Sequence, residues 1–140
     1  DGKGYGFIGH SGQGKSTLVR DLAHQAGLTV LGEDQIVMRY LDGKFWIFGT
    51  PWHEDPDICS PIGVPLEKLF FLDWKQTQTI TYFSPFEGVT SLMQTAFVPY
   101  YRPDSVNTSL ERLGILAGQI PFFKLSYQRG TDILPHILAA

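Results

Sequence analysis

"GFIGHSGQGKSTL", residues 6–18, decides how the rest of the chain is read. Gly9 and Gly14 enclose four residues and are followed by Lys15 and Ser16, the phosphate-cradle pattern G-x-x-x-x-G-K-[ST]. Glycines at both ends let the backbone turn so that successive N–H groups converge on phosphate oxygens, and the helix that follows adds its positive N-terminal dipole. Lys15 is expected to reach the terminal phosphates, and Ser16 to offer its hydroxyl to Mg²⁺, a hard cation that shares oxygen ligands with nucleotide phosphates. The flanks agree with this reading. Tyr5–Ile8 reads as a short strand, and Ser16–Ala26 as a helix with Leu18, Leu22 and Ala26 on one face, stopped by Gly27. Gly9, His10, Ser11, Gly12, Gln13, Gly14, Lys15, Ser16 and Thr17 are therefore the expected nucleotide-binding residues.

Composition narrows the alternatives. The chain has 140 residues, of which 43% are hydrophobic and 14% aromatic, enough for one domain with its own core. A net charge of −3 and no lysine or arginine cluster argue against a nucleic-acid surface, which needs a basic face to displace counterions. No apolar run approaches the roughly 18 residues of a membrane span, so the expectation is a soluble, cytoplasmic chain with no membrane partner. Cys59 is the single cysteine; it can form no internal disulfide and is read as a packing residue. The sequence leaves a homo-oligomer open.

Beyond the first helix, Leu28–Leu31 reads as a short strand leading into Gly32-Glu33-Asp34, with Ile36–Leu41 extended beyond it. Asp42-Gly43 between Ile36–Leu41 and Lys44–Phe48 is a hairpin signal, because both central residues of the favoured turn need positive φ. Residues 49–65 carry four prolines and two glycines and are expected to be a long loop. Leu66–Trp74 reads as a buried strand and Gln76–Phe83 as a more polar one. Ser84, Pro85 and Glu87 form a helix start with a capping box. A helix over Asp104–Ala117, a strand over Pro121–Tyr127 and a short helix over Ile133–Ala140 complete the chain. A hairpin directly after the first helix is not the crossover that a doubly wound parallel sheet needs. The expected fold is α/β, with a mixed, partly antiparallel sheet, the phosphate loop at one end and helices packed on one side.

These blocks resemble the catalytic domain of the HPr kinase/phosphorylase family and its shorter HPr-kinase-like serine kinases, whose fold is related to phosphoenolpyruvate carboxykinase. The resemblance spans nearly the whole chain: "GFIGHSGQGKSTL", "LGEDQIVMR", "FWIFGTPWHED", "PLEKLFFL" and the stretch from "SPFEGVTSLMQ" to "IPFFKLSY". It implies a single phosphate-loop kinase-like domain over residues 1–140 that transfers the γ-phosphate of ATP to a serine hydroxyl of a protein, peptide or small molecule. It also implies a catalytic pair at Glu33 and Asp34, where the family has two aspartates, with one carboxylate taking the proton of the attacking hydroxyl. Lys15 would hold the phosphates, and Ser16 and Asp34 would bind Mg²⁺ directly or through water. The family carries a His-Gly element on strands upstream of its phosphate loop. This chain opens on Asp1 and is expected to lack them, so no catalytic role passes to His10 or His53.

Other residues compete for these tasks. Asp73 ends the apolar run "LFFLD", the form in which many ATPases supply a metal-binding acid. Arg39, Arg102 and Arg129 have the chemistry to bind phosphate but read as surface residues. Two further readings stand beside the serine kinase: a small-metabolite kinase of the doubly wound class, against which the Asp42-Gly43 hairpin counts, and a non-catalytic nucleotide-binding regulator.

Overall fold

A computed structural model describes residues 2–10, 12, 14–52, 57, 59–73, 77–96 and 100–140. Of the sequence readings, those at Ser11, Gln13, His53, Trp74 and Gln76 lie outside the described residues. The elements run Gly4–Ile8 (β1), Lys15–Ala23 (α1), Val37–Leu41 (β2), Lys44–Phe48 (β3), Gly63–Leu72 (β4), Thr79–Phe83 (β5), Pro85–Thr95 (α2), Pro103–Gln119 (α3), Phe122–Ser126 (β6) and Leu134–Ala139 (α4). The fold is α/β with a mixed, partly antiparallel sheet. No helix among the described residues is long and apolar enough to cross a membrane.

The sheet is organised around β4. Its C-terminal half lies between two parallel neighbours, with Phe70 opposite Phe7 of β1 and opposite Phe123 of β6. Its first three residues pair antiparallel with β3, which pairs in turn with β2, while β5 closes the other end antiparallel to β6. The expected hairpin is present: β2 and β3 pair from Leu41↔Lys44 to Val37↔Phe48, and Asp42 and Gly43 take φ of 51° and 77°. The chain after α1 is thus an antiparallel excursion and not a crossover.

Helices cover both faces of the sheet, which corrects the expectation of one. Leu69, Phe71 and Phe122 pack with Leu92 of α2 and Leu116 of α3. Phe70, Leu72 and Leu125 pack with Leu18 and Leu22 of α1 and with Ile133 and Ile137 at α4. The physical reason is the unbroken apolar run "LFFL" of β4: Leu69, Phe70, Phe71 and Leu72 are all buried, and consecutive strand residues face opposite sides. A register shift between Gly4 and Tyr5 gives β4 one extra residue, since Gly4 is opposite Leu66 and Tyr5 opposite Lys68. That bulge brings Leu66 onto the same face as Leu69.

Aromatic rings fix the centre. Phe70, fully buried, stacks on Phe7 and on Phe123 with ring centroids 5.4 Å away in each case. On the opposite face Phe71 meets Phe83 and Phe122 edge-on at 5.0 and 5.5 Å. Such pairs add about 0.5–1.5 kcal/mol each beyond their buried area.

Other departures from the sequence reading have local causes. α1 ends at Ala23 and not Ala26, because the chain leaves the helix through turns closed by Gln25 N–H to Leu22 O and Leu28 N–H to Gln25 O, with Gly27 at φ 84°. Leu28–Leu31 is not a strand; the carbonyl of Leu31 accepts from Ser60 N–H instead of a ladder partner. Gly63, Val64 and Pro65 leave the expected loop to join β4, because β3 offers them a ladder. β5 begins at Thr79. Ser84 caps α2 as expected, Glu87 N–H donating to Ser84 Oγ at 3.3 Å, while the Glu87 carboxylate accepts from the Ser84 hydroxyl at 2.6 Å.

Tyr127, just past β6, donates its hydroxyl to Asp21 Oδ2 on α1. Burial, and then the Asp21 carboxylate as hydrogen-bond acceptor and as charge, push the Tyr127 phenol up to about 12. A raised folded-state value means that this contribution is complete below the phenol's unfolded value near 10 and is lost as pH climbs from there through the folded value. Urea midpoints measured across that alkaline range should fall more steeply for the wild type than for Tyr127→Phe; identical slopes would remove the contact from the stability balance. At the centre of the sheet, Phe70→Ala should cost about 3–5 kcal/mol in the same assay, and a loss below about 1 kcal/mol would show that neighbouring rings refill the space.

Candidate functional site

The glycine-rich segment connects β1 to α1. Gly12 and Gly14 take φ of 86° and 84°, the left-handed region that a side chain disfavours. Gly14 is the residue that begins α1: no side chain caps the helix there, and the carbonyl of Gly14 accepts from Leu18 N–H at 3.0 Å. Lys15, Ser16 and Thr17 form the first turn, half-buried. Their N–H groups lie among those that a helix leaves without intrahelical partners.

A cavity of about 780 Å³ opens beside this segment. Gly2 to Gly9 line it without a break, and Thr29 to Met38 line it too. β1 has a ladder partner on one side alone among the described strands, and the segment from Leu28 to Ile36 passes without forming a second ladder. The space is the consequence. Lys15, Glu33 and Asp34 all border it, together with Gly9. Glu33 is 8% exposed and Asp34 is exposed, so the neighbouring carboxylates have different surroundings; the chain bends at both residues, so this difference does not come from the extended segment that the sequence suggests.

Other expected residues stand elsewhere. His10, Gly12, Gly14, Ser16 and Thr17 do not line the cavity. Asp73 does not line it either, but register places it near the glycine-rich segment. Phe71 is opposite Ile8 in parallel strands, so two residues farther along β4 Asp73 reaches the level of His10. Its N–H donates to Leu125 O at 2.9 Å, which fixes its backbone at that end of the sheet. Arg39, Arg102 and Arg129 are exposed and lie outside the cavity lining.

The base of the chain between β3 and β4 touches the acidic segment at both ends. Ser60 N–H donates to Leu31 O at 3.4 Å, and Thr50 Oγ1 donates to Gln35 O at 2.6 Å. Thr50 Oγ1 also accepts from Trp52 N–H at 3.4 Å, and both residues line the cavity. A Cβ on Gly49 would collide with the carbonyl oxygens of Leu31 and Ser60. Sequence reasoning did not assign these contacts. The available signal was Gly49-Thr50-Pro51, a small residue and a hydroxyl beside a proline, but it named no partner.

Comparison with protein-family models, with curated proteins and with solved structures found no match.

Proposed function

We propose that this chain is a Mg²⁺- and ATP-dependent phosphotransferase of the HPr-kinase-like type, passing the γ-phosphate to a serine hydroxyl on a protein, peptide or small molecule. One observation carries the reading: Lys15, at the end of a motif whose glycines hold left-handed backbone, borders the same cavity as Glu33 and Asp34. Phosphoryl transfer asks for positioning and charge stabilisation more than for covalent work by the protein.

In this reading, backbone N–H groups from His10 to Ser16 and the Lys15 ammonium hold the phosphates. Glu33 takes the proton of the acceptor hydroxyl as its oxygen bonds to the γ-phosphorus; the bond from that phosphorus to the β–γ bridging oxygen breaks, and ADP leaves with the electron pair. Ser16 and Asp34 would hold Mg²⁺, whose chemistry is to neutralise charge on the phosphates. A hydroxyl and a carboxylate are hard oxygen donors, the ligand type that Mg²⁺ takes, and Mg²⁺ is usually held by one or two carboxylates plus substrate phosphates and water.

The register of Asp73 favours a second arrangement, in which this residue and not Asp34 supplies the metal-binding acid, as in ordinary phosphate-loop ATPases. Asp34→Asn and Asp73→Asn separate the two. The variant that raises the Mg²⁺ concentration needed for ATP turnover identifies the acid, and an effect confined to Asp73→Asn would overturn the family-like assignment.

Lys15→Ala should weaken ATP binding at least tenfold by titration calorimetry, since a charge-assisted phosphate contact is worth about 1.5–3 kcal/mol. Unchanged affinity would end the nucleotide-site proposal. Glu33→Gln should lower transfer from radiolabelled ATP by about 10²- to 10⁴-fold with ATP affinity near wild type, and turnover within about threefold of wild type would exclude Glu33 as the base. A wild-type chain that binds ATP and transfers nothing would leave the regulator as the better account.

A further inference from the structure

We propose that Thr50 is a positioning residue for the acidic pair, acting with the backbone at Gly49 to hold Glu33 and Asp34 toward the glycine-rich segment; the inference rests on the phosphotransferase reading above. Glu33 and Asp34 belong to no helix or strand. Regular structure therefore does not fix them, and something else must, because a carboxylate displaced by about an ångström loses much of its use.

The two flanks of the pair are held by the base of one loop. Leu31 O accepts from Ser60 N–H, and Gln35 O accepts from Thr50 Oγ1, so the five residues from Leu31 to Gln35, which carry both carboxylates, are tied at their two ends. The Thr50 bond, at 2.6 Å, is the shorter of the two and is made by a side chain. Gly49 brings its backbone against the same segment, where a side chain would collide with Leu31 O. Gly49 N–H itself donates to Ile62 O at 3.2 Å, which anchors this clamp immediately before β4. A short route of hydrogen bonds thus joins the sheet to the acids without passing through α1 or the glycine-rich segment.

That separation yields a specific expectation. ATP without metal is held by Lys15 and backbone N–H groups, so its affinity should not depend on Thr50. The gain in ATP affinity produced by Mg²⁺ depends on a correctly placed Asp34, so it should. Titration calorimetry with ATP, with and without Mg²⁺, tests this on wild type, Thr50→Val, Thr50→Ser and Gly49→Ala. Thr50→Val keeps the shape and loses the hydroxyl; Thr50→Ser keeps the hydroxyl.

The expected result is metal-free affinity within about twofold of wild type in all variants, with the Mg²⁺ gain cut at least about fivefold in Thr50→Val and Gly49→Ala and retained in Thr50→Ser. Amide hydrogen exchange over residues 31–36 in the metal-free, nucleotide-free protein should rise in Thr50→Val and return to the wild-type rate in Thr50→Ser. A full Mg²⁺ gain in Thr50→Val overturns this inference and leaves the phosphotransferase reading standing. Loss of metal-free ATP binding in Thr50→Val also overturns it, since the residue would then act on the fold at large. A wild-type chain with no affinity for ATP sinks both, and ATP affinity indifferent to Mg²⁺ in the wild type removes Asp34 and this inference together.

Discussion

Phe7, Phe70 and Phe123 form a ladder of stacked rings across three parallel strands, and the other placements follow from it. Stacking at directly opposed positions specifies which residue of β1 faces which residue of β4, and a slip of one residue would turn every side chain to the wrong face. Fixing Phe7 opposite Phe70 fixes where β1 ends. The glycine-rich segment, the start of α1 and the level of Asp73 are then all set relative to one sheet end. The opposite face repeats the device with edge-on contacts of Phe71 to Phe83 and Phe122, which tie in β5.

Elements whose determinants are local in sequence could be read directly. The Asp42-Gly43 turn needs positive φ at both residues, and the Ser84–Glu87 cap satisfies its own backbone groups, so neither depends on distant chain. The glycine-rich segment and the helix after it are legible for the same reason. What could not be read depends on partners far along the chain. Gly63–Pro65 looks like loop until β3 is beside it, and Leu28–Leu31 looks like strand until no ladder partner comes. Helices on both faces were implicit in the unbroken apolar run of β4, a pattern that marks a strand buried on two sides.

The site divides along the same line. Lys15 and the glycines come from a contiguous motif, whereas the convergence of Lys15 with Glu33 and Asp34 on one cavity is a tertiary fact. The contacts of Thr50 and Ser60 with the acidic segment join residues 15 or more positions apart, and periodicity carries no information about such pairs. Asp73 is the reverse case: its motif was visible, and its nearness to the glycine-rich segment emerged only from the register of β1 on β4.

The one-sided pairing of β1 has an energetic consequence. A strand with a ladder on both sides opens only when two sets of hydrogen bonds break together, whereas β1 among the described strands is tied to β4 alone and otherwise relies on its rings and on α1. Its local opening free energy should therefore lie below that of β4, making the element that leads into the glycine-rich segment a weaker cooperative unit than the strand beside it. A ligand that spans the cavity and requires β1 closed would add its binding free energy to that unit, and would stabilise this part of the sheet in proportion to its concentration relative to its dissociation constant.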